Sequence, residues 1–239
     1  MQSRRSRLDR FVSKRTGINR REVRQILAQG RLRIDGNIAH SINQTVEQFS
    51  HVTLDGQVLQ AETPVYLMLN KPKGVVSATR DEHHPTVIDL LERDDGDALH
   101  IVGRLDFNST GLLLLTNDGG WSRQLTSPEN KVDKLYQVTL QHPINEQYVE
   151  AFANGIYFSF EGITTRPAML TIIDERVAEV SLVEGRYHQI KRMFGRFQNP
   201  VLELHRLAVG GLFLDESLPP GASRELRTEE LQRLRLAND

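Results

Sequence analysis

Gly103-Arg104-Leu105-Asp106-Phe107-Asn108-Ser109-Thr110-Gly111-Leu112-Leu113-Leu114-Leu115-Thr116-Asn117-Asp118-Gly119 joins a short polar loop to a run of four leucines. A single carboxylate, Asp106, sits in that loop beside an arginine, two hydroxyls and a glycine. With the leucines following at once, it has the form of a lone acid presented at the mouth of a buried element. Leu99-His100-Ile101-Val102 reads as the strand that delivers the loop, and residues 112–116 as the strand that leaves it. Asn117-Asp118-Gly119 reads as the closing turn.

Outward from this stretch, strands and helices mix. Lys134-Leu135-Tyr136-Gln137-Val138-Thr139-Leu140 alternates as a strand. Val65-Tyr66-Leu67-Met68-Leu69-Asn70 is a mostly apolar strand running into a basic turn, Lys71-Pro72-Lys73-Gly74, and residues 178–183 form another strand. Helices are expected at 87–91 (short, after Pro85), from 121, over 144–155, and over 187–197 after a Glu184-Gly185 turn. Without regular βαβ alternation, the pattern predicts an α+β domain with a mixed, mainly antiparallel sheet.

The N-terminal sixty residues read differently. Leu8, Phe11 and Val12 make one apolar helix face, ended by Gly17. Asn19 caps a second helix with Glu22 three positions on. Val23, Ile26 and Leu27 form its buried stripe, and Gly30 stops it. Leu32-Arg33-Ile34 and Val52-Thr53-Leu54 are short strands, each running into an Asp-Gly turn. Ala61-Glu62-Thr63-Pro64 is a linker. The expected organisation is therefore a small domain at 1–60, a linker at 61–64 and a larger domain at 65–239.

Charge separates the same two modules. Residues 1–59 carry eleven Lys/Arg against five Asp/Glu, so the overall charge of −1 leaves −7 on the rest. A basic module on a mildly acidic one suits docking of the first on a polyanion. Arg20, Arg21 and Arg24, near a helix start, are the residues offered to phosphates. With no cysteine among 239 residues, disulfides, thiolate zinc sites and a cysteine nucleophile are excluded. No apolar run approaches the length of a membrane span. The histidines lack convincing zinc spacing, and neither a Walker A sequence nor a dinucleotide fingerprint occurs.

Two resemblances join these readings. Arg7-Leu8-Asp9-Arg10-Phe11-Val12, Arg20-Arg21-Glu22-Val23 and Gly30-Arg31-Leu32-Arg33-Ile34-Asp35-Gly36 resemble the alpha-L RNA-binding domain of small-subunit ribosomal protein four. Four further segments lie in one order: the Asp106 loop, Lys134-Leu135-Tyr136-Gln137-Val138, Glu184-Gly185-Arg186-Tyr187-His188-Gln189-Ile190-Lys191-Arg192-Met193, and Leu202-Glu203-Leu204-His205-Arg206. They resemble the motifs of the RsuA/RluB/RluE/RluF family of RNA pseudouridine synthases, over residues 65–231.

That resemblance implies an isomerisation in which the base is cut from ribose, turned and rejoined through carbon, with no cofactor and no metal. It implies Asp106 as nucleophile, Tyr136 as the ring that stacks on an everted uracil, and Lys191 as the cation paired with the carboxylate. Arg104 would help evert the base or hold the adjacent phosphate, and Leu204 would line the uracil pocket. Lys71, Lys73, Arg186 and Arg192 would bind phosphates around the cleft. Each has a plain alternative: a turn-capping aspartate at 106, a half-buried strand tyrosine at 136, a solvated helix lysine at 191, a loop salt bridge at 104, core packing at 204, and ordinary surface for the other cations. The expected substrate is small-subunit (16S) ribosomal RNA or an assembling small-subunit particle, met by a cytoplasmic monomer with no membrane partner. Large-subunit (23S) RNA is the alternative within the family, and a non-catalytic RNA-binding assembly factor the alternative outside it.

Overall fold

The computed structural model describes residues 5–236, in two compact units that part between Pro64 and Val65. The first runs β1 (Ser6–Arg7), α1 (Leu8–Thr16), α2 (Arg20–Ala28), β2 (Leu32–Ile34), β3 (Asn37–Ile38), β4 (Thr45–Val46), β5 (Val52–Leu54) and β6 (Gln57–Gln60). β3, β2, β5 and β6 make an antiparallel sheet in that order, and β1 pairs with β4. Asn19 caps α2, its side chain accepting from the N–H groups of Arg21 and Glu22 at 3.0 Å each. Asp35-Gly36 and Asp55-Gly56 turn the two hairpins with positive φ at all four positions, as the two-residue loops that match strand twist require. Leu8, Val12, Val23, Leu32 and Val52 are wholly buried between helices and sheet.

Asp9 is wholly buried in this unit and is gripped by Arg20 Nη2 at 2.6 Å and Arg7 Nη2 at 3.1 Å. Burial alone would raise its carboxyl. The hydrogen bonds and charges of Arg20 and Arg7 outweigh that and hold it below the usual range. Arg20, expected at a phosphate, thus spends its guanidinium on the fold. Arg21 and Arg24 remain exposed, with no side-chain partner among the described residues.

The second unit runs β7 (Tyr66–Lys71), β8 (His100–Val102), β9 (Thr110–Thr116), α3 (Gly119–Thr126), β10 (Lys134–Leu140), α4 (Glu146–Asn154), β11 (Tyr157–Phe158), β12 (Ile163–Thr164), β13 (Met169–Asp174), β14 (Val177–Leu182), α5 (Gln189–Gly195), β15 (Val201–Val209), β16 (Leu212–Phe213), β17 (Ser223–Glu225) and α6 (Thr228–Leu236). Among the described residues its main sheet has nine strands. The path is β13-β14-β10-β15-β9-β7-β17, with β16 on β15 and β8 on β9. Only the β15–β9 pair is parallel. The fold is α+β with a mainly antiparallel sheet.

The four leucines of β9 alternate between two cores. Leu113 and Leu115 pack with Leu69, Val138, Val180 and Phe194. Leu112 and Leu114 pack with Met68, Trp121, Leu125 and Val209. A strand covered on both faces needs apolar residues at consecutive positions, which is why the run is unbroken. β15 reaches β9 only through His205 opposite Thr110 and Arg206 opposite Gly111. A Cβ at 111 would lie 2.3 Å from the Arg206 carbonyl oxygen, and φ there is +102°. Only glycine admits that approach.

Two expected helices differ. Residues 87–91 form a turn: Asp89 Oδ2 accepts from the Thr86 N–H at 2.7 Å and from Thr86 Oγ1 at 2.9 Å, closing the chain on itself. The helix expected over 187–197 begins only at Gln189. His188 sits at φ 50°, ψ 32°, a left-handed conformation that a right-handed helix cannot include. In the second unit β11, β12, β13, β15, β16, β17 and α6 lie outside the elements expected.

Candidate active site

Asp106 sits between β8 and β9, on a turn closed by the Ser109 N–H donating to the Asp106 carbonyl at 3.0 Å. The loop is held from two sides. From the chain following β7, the Gly74 N–H donates to the Phe107 carbonyl at 2.9 Å. Ser77 Oγ donates to the Leu105 carbonyl at 2.7 Å and accepts from its N–H at 3.1 Å. At the end of β7, Lys71 Nζ donates to the carbonyls of Ser109 at 2.9 Å, Pro72 at 3.0 Å and Phe107 at 3.4 Å. From β15, Arg206 Nε donates to the Leu112 carbonyl at 2.7 Å and Nη2 to the Gly103 carbonyl at 2.8 Å.

Lys71 and Arg206 are 0% and 1% exposed. Neither makes an ion pair among the described residues; backbone carbonyls satisfy their protons instead. Their charges are therefore not cancelled by an acid in contact. Burial pushes Lys71 down to about 8, with Arg206 pushing the same way and the Asp106 charge pulling it back. Burial and Arg206 push Lys134, at the start of β10, down to about 8 as well.

α5 completes the site from the other side. Lys191 Nζ and His188 Nε2 each lie 3.4 Å from Asp106 Oδ2. The carboxylate is 29% exposed, so it meets solvent on one side and the Lys191 ammonium and His188 imidazole on the other. A carboxylate so placed stays accessible to a substrate while facing an opposite charge.

Tyr136 is mostly buried on β10, directly opposite Arg206 on β15, whose guanidinium carbon is 6.0 Å from the ring centroid. Arg206 thus ties the strand of Tyr136 to both ends of the Asp106 loop. No hydrogen bond joins Tyr136 to Asp106 among the described residues, and its hydroxyl bonds to no protein group there. Leu204 lies opposite Val138 and packs in the same core as Tyr136.

The residues expected at phosphates divide. Lys73 and Arg104 are exposed and without side-chain partners among the described residues. Arg186 pairs with the buried Glu184 at 3.2 Å and keeps its outer edge in water. Arg192 forks onto Glu161 beyond β11 and lies over the Phe158 ring at 3.8 Å. Its pairing has to loosen before a phosphate can use it. Lys71 corrects the expectation outright: enclosed by three carbonyls, it cannot reach a backbone phosphate, and it serves the loop from beneath. Sequence reading missed His188 and Arg206. For Arg206 no local signal existed, because the carbonyls that receive its protons, at Gly103 and Leu112, lie about a hundred residues away. For His188 none existed, because its approach to Asp106 depends on its left-handed backbone.

A family model described as RNA pseudouridylate synthase matches residues 65–195, and one described as S4 domain matches residues 6–49. The chain is 53% identical over 226 residues to ribosomal small subunit pseudouridine synthase A of Pseudomonas aeruginosa, covering 94% of this chain and 98% of that one. It is 41% identical over 226 residues to the protein of the same name from Escherichia coli K12, with the same coverage. A crystal structure of a pseudouridylate synthase superposes with a TM-score of 0.70 at 39% identity, over 95% of this chain and 99% of that one. With an S4 domain ahead of a sheet that holds one accessible carboxylate beside a lysine and a histidine, the chain belongs to the RNA pseudouridylate synthase family.

Proposed function

We propose that this protein converts one uridine of small-subunit ribosomal RNA to pseudouridine, with Asp106 as the nucleophile. The observation that carries the reading is the setting of Asp106: an accessible carboxylate between Lys191 and His188, on a loop tied down by two buried cations. The relatives' shared name supports the choice of subunit. The reaction breaks the bond between uracil N1 and ribose C1′ and makes one between C5 and C1′. C5 gives up a proton and N1 gains one, so atoms balance within the RNA and water.

The carboxylate engages either the uracil ring or C1′, and in both routes it must be charged and fixed before the base arrives. Lys191 sets an opposite charge 3.4 Å from the carboxylate; Lys71, Ser77 and Arg206 fix the loop. The uracil has to leave its stack to reach Asp106. Tyr136 offers the ring beneath it, and its free hydroxyl can hand on a proton. Arg104 and Lys73 meet the flanking phosphates.

The lysines give a pH dependence. With folded values near 8 against about 10.4 in the unfolded chain, the native state binds fewer protons than the unfolded state between those limits. Stability from these two groups therefore rises with pH across that window. Activity moves the other way, because neutral Lys71 withdraws positive charge from beneath Asp106. A pH–rate profile is expected to fall along a limb centred near pH 8 while the melting temperature between pH 7 and 9 does not fall with it. A rate that holds level to pH 9.5 would remove the Lys71 charge from the mechanism.

The decisive test of the proposal is a modification map. Purified protein is incubated with unmodified ribosomal RNA and with assembling subunits, and pseudouridine is located by carbodiimide-stop sequencing. One new site in small-subunit RNA is expected. A site in large-subunit RNA alone would change the substrate and keep the reaction; no site in either would leave an RNA-binding assembly factor. For the S4 domain, Arg21→Glu with Arg24→Glu is expected to flatten the salt dependence of RNA binding by about 1.5 in the log–log slope. An unchanged slope would take these arginines out of the interface.

A further inference from the structure

We propose that Tyr187 is a stacking platform for the nucleobase next to the target uridine, a subsite distinct from the Tyr136 ring. The inference rests on the functional reading above and extends it to the RNA that flanks the reacting residue.

Tyr187 and His188 are the two central residues of a tight turn. The Gln189 N–H donates to the Arg186 carbonyl at 3.1 Å, and the Arg186 N–H donates back to Gln189 Oε1 at 3.1 Å. Gln189 is itself buried and donates from Nε2 to Glu184 Oε2 at 2.9 Å. The turn is therefore fixed from below, and His188 is held at φ 50°, a conformation that side chains other than glycine seldom adopt. What the turn presents is a stack. The Tyr187 and His188 rings lie 3.9 Å apart at 20°. His188 in turn touches Asp106 through Nε2, while the Tyr187 ring is 77% exposed.

The order is nucleophile, imidazole, phenol ring, water. One face of Tyr187 is covered by His188, so the ring is oriented before any ligand arrives, and its other face is offered to solvent one ring beyond the reacting carboxylate. When the uridine is drawn out of the helix to Asp106, the base beside it loses a stacking partner. An oriented aromatic face at that distance replaces the lost partner, and because every base has a π face the contact tolerates any sequence. Arg186, the residue before the pair, keeps 43% of its side chain exposed beside its bond to Glu184 and supplies positive charge for a flanking phosphate. Phe107, the residue after Asp106, is not equivalent: its ring is met edge-on by His84 at 4.9 Å and is less than half exposed.

The test uses full-length protein and RNA spanning the uridine found in the modification map. In steady state, Tyr187→Ala is expected to raise KM roughly tenfold with kcat within about twofold, and Tyr187→Phe and Tyr187→Trp to recover most of the loss. In the Asp106→Asn background, an oligonucleotide with 2-aminopurine beside the target uridine is expected to be quenched on binding, and Tyr187→Ala to abolish the quenching. A lowered kcat at unchanged KM would assign Tyr187 to support of His188 and overturn the platform, as would a Phe variant as poor as the Ala one. Should the wild type modify RNA while Tyr187→Ala leaves KM and quenching untouched, the platform falls alone. Should the wild type make no pseudouridine at all, the functional reading falls and takes the platform with it.

Discussion

Asp106→Asn is expected to leave no pseudouridine above background in RNA that the wild type modifies, a fall of ~10³-fold or more in rate. The amide has the carboxylate's shape but neither its charge nor its nucleophilicity. The loop is held by backbone carbonyls and N–H groups of Gly103, Leu105, Phe107 and Ser109 rather than by the Asp106 side chain. The variant should therefore fold and bind RNA within about twofold of wild type. Product mapping beside a filter-binding curve makes the comparison. Turnover by the variant near the wild-type rate would place the nucleophile elsewhere; a joint loss of binding and turnover would make Asp106 a docking residue.

Gly111→Ala is expected to be the most disruptive single change to the second unit, costing more than about 4 kcal/mol. The new Cβ would meet the Arg206 carbonyl oxygen at 2.3 Å and the Arg206 nitrogen at 2.7 Å, both backbone atoms of a central strand, at a φ that alanine avoids. Relief requires β15 to part from β9, and their contact spans only two residue pairs. Arg206 would then leave Gly103 and Leu112, and the Asp106 loop would lose one of the two buried cations that hold it. Denaturant titration should show the loss of stability, and surviving folded protein should be slow. A variant with wild-type stability would mean that the two strands do not approach as closely as described.

What could be read from the chain follows the range of the interactions involved. β10 was legible with its limits because alternation along 134–140 is a local signal, and β9 because four leucines in a row mark a strand hidden on both faces. The Asn19 cap and the Asp-Gly hairpins were legible for the same reason. β15 was not read as a strand, since Glu203, His205 and Arg206 interrupt its apolar pattern. Arg206 is buried because carbonyls at Gly103 and Leu112, roughly a hundred residues away, receive its protons, and nothing local announces that. Lys71 misled in the same way: a lysine before a proline reads as surface, yet three carbonyls from two segments enclose it. Pairing of Asp106 with Lys191 was legible only through the resemblance. The share taken by His188 depends on a backbone conformation that residue types do not reveal.

The joining of β15 to β9 also has a consequence during synthesis. A ribosome that has made Asp106 must add about 100 further residues before Arg206 exists, which at ~5–20 residues per second takes roughly 5–20 s. Throughout that interval the Asp106 loop lacks the Arg206 anchor and the strand of Tyr136 lacks its β15 neighbour. Fragments that end before β15 are therefore expected to be inactive in the modification assay.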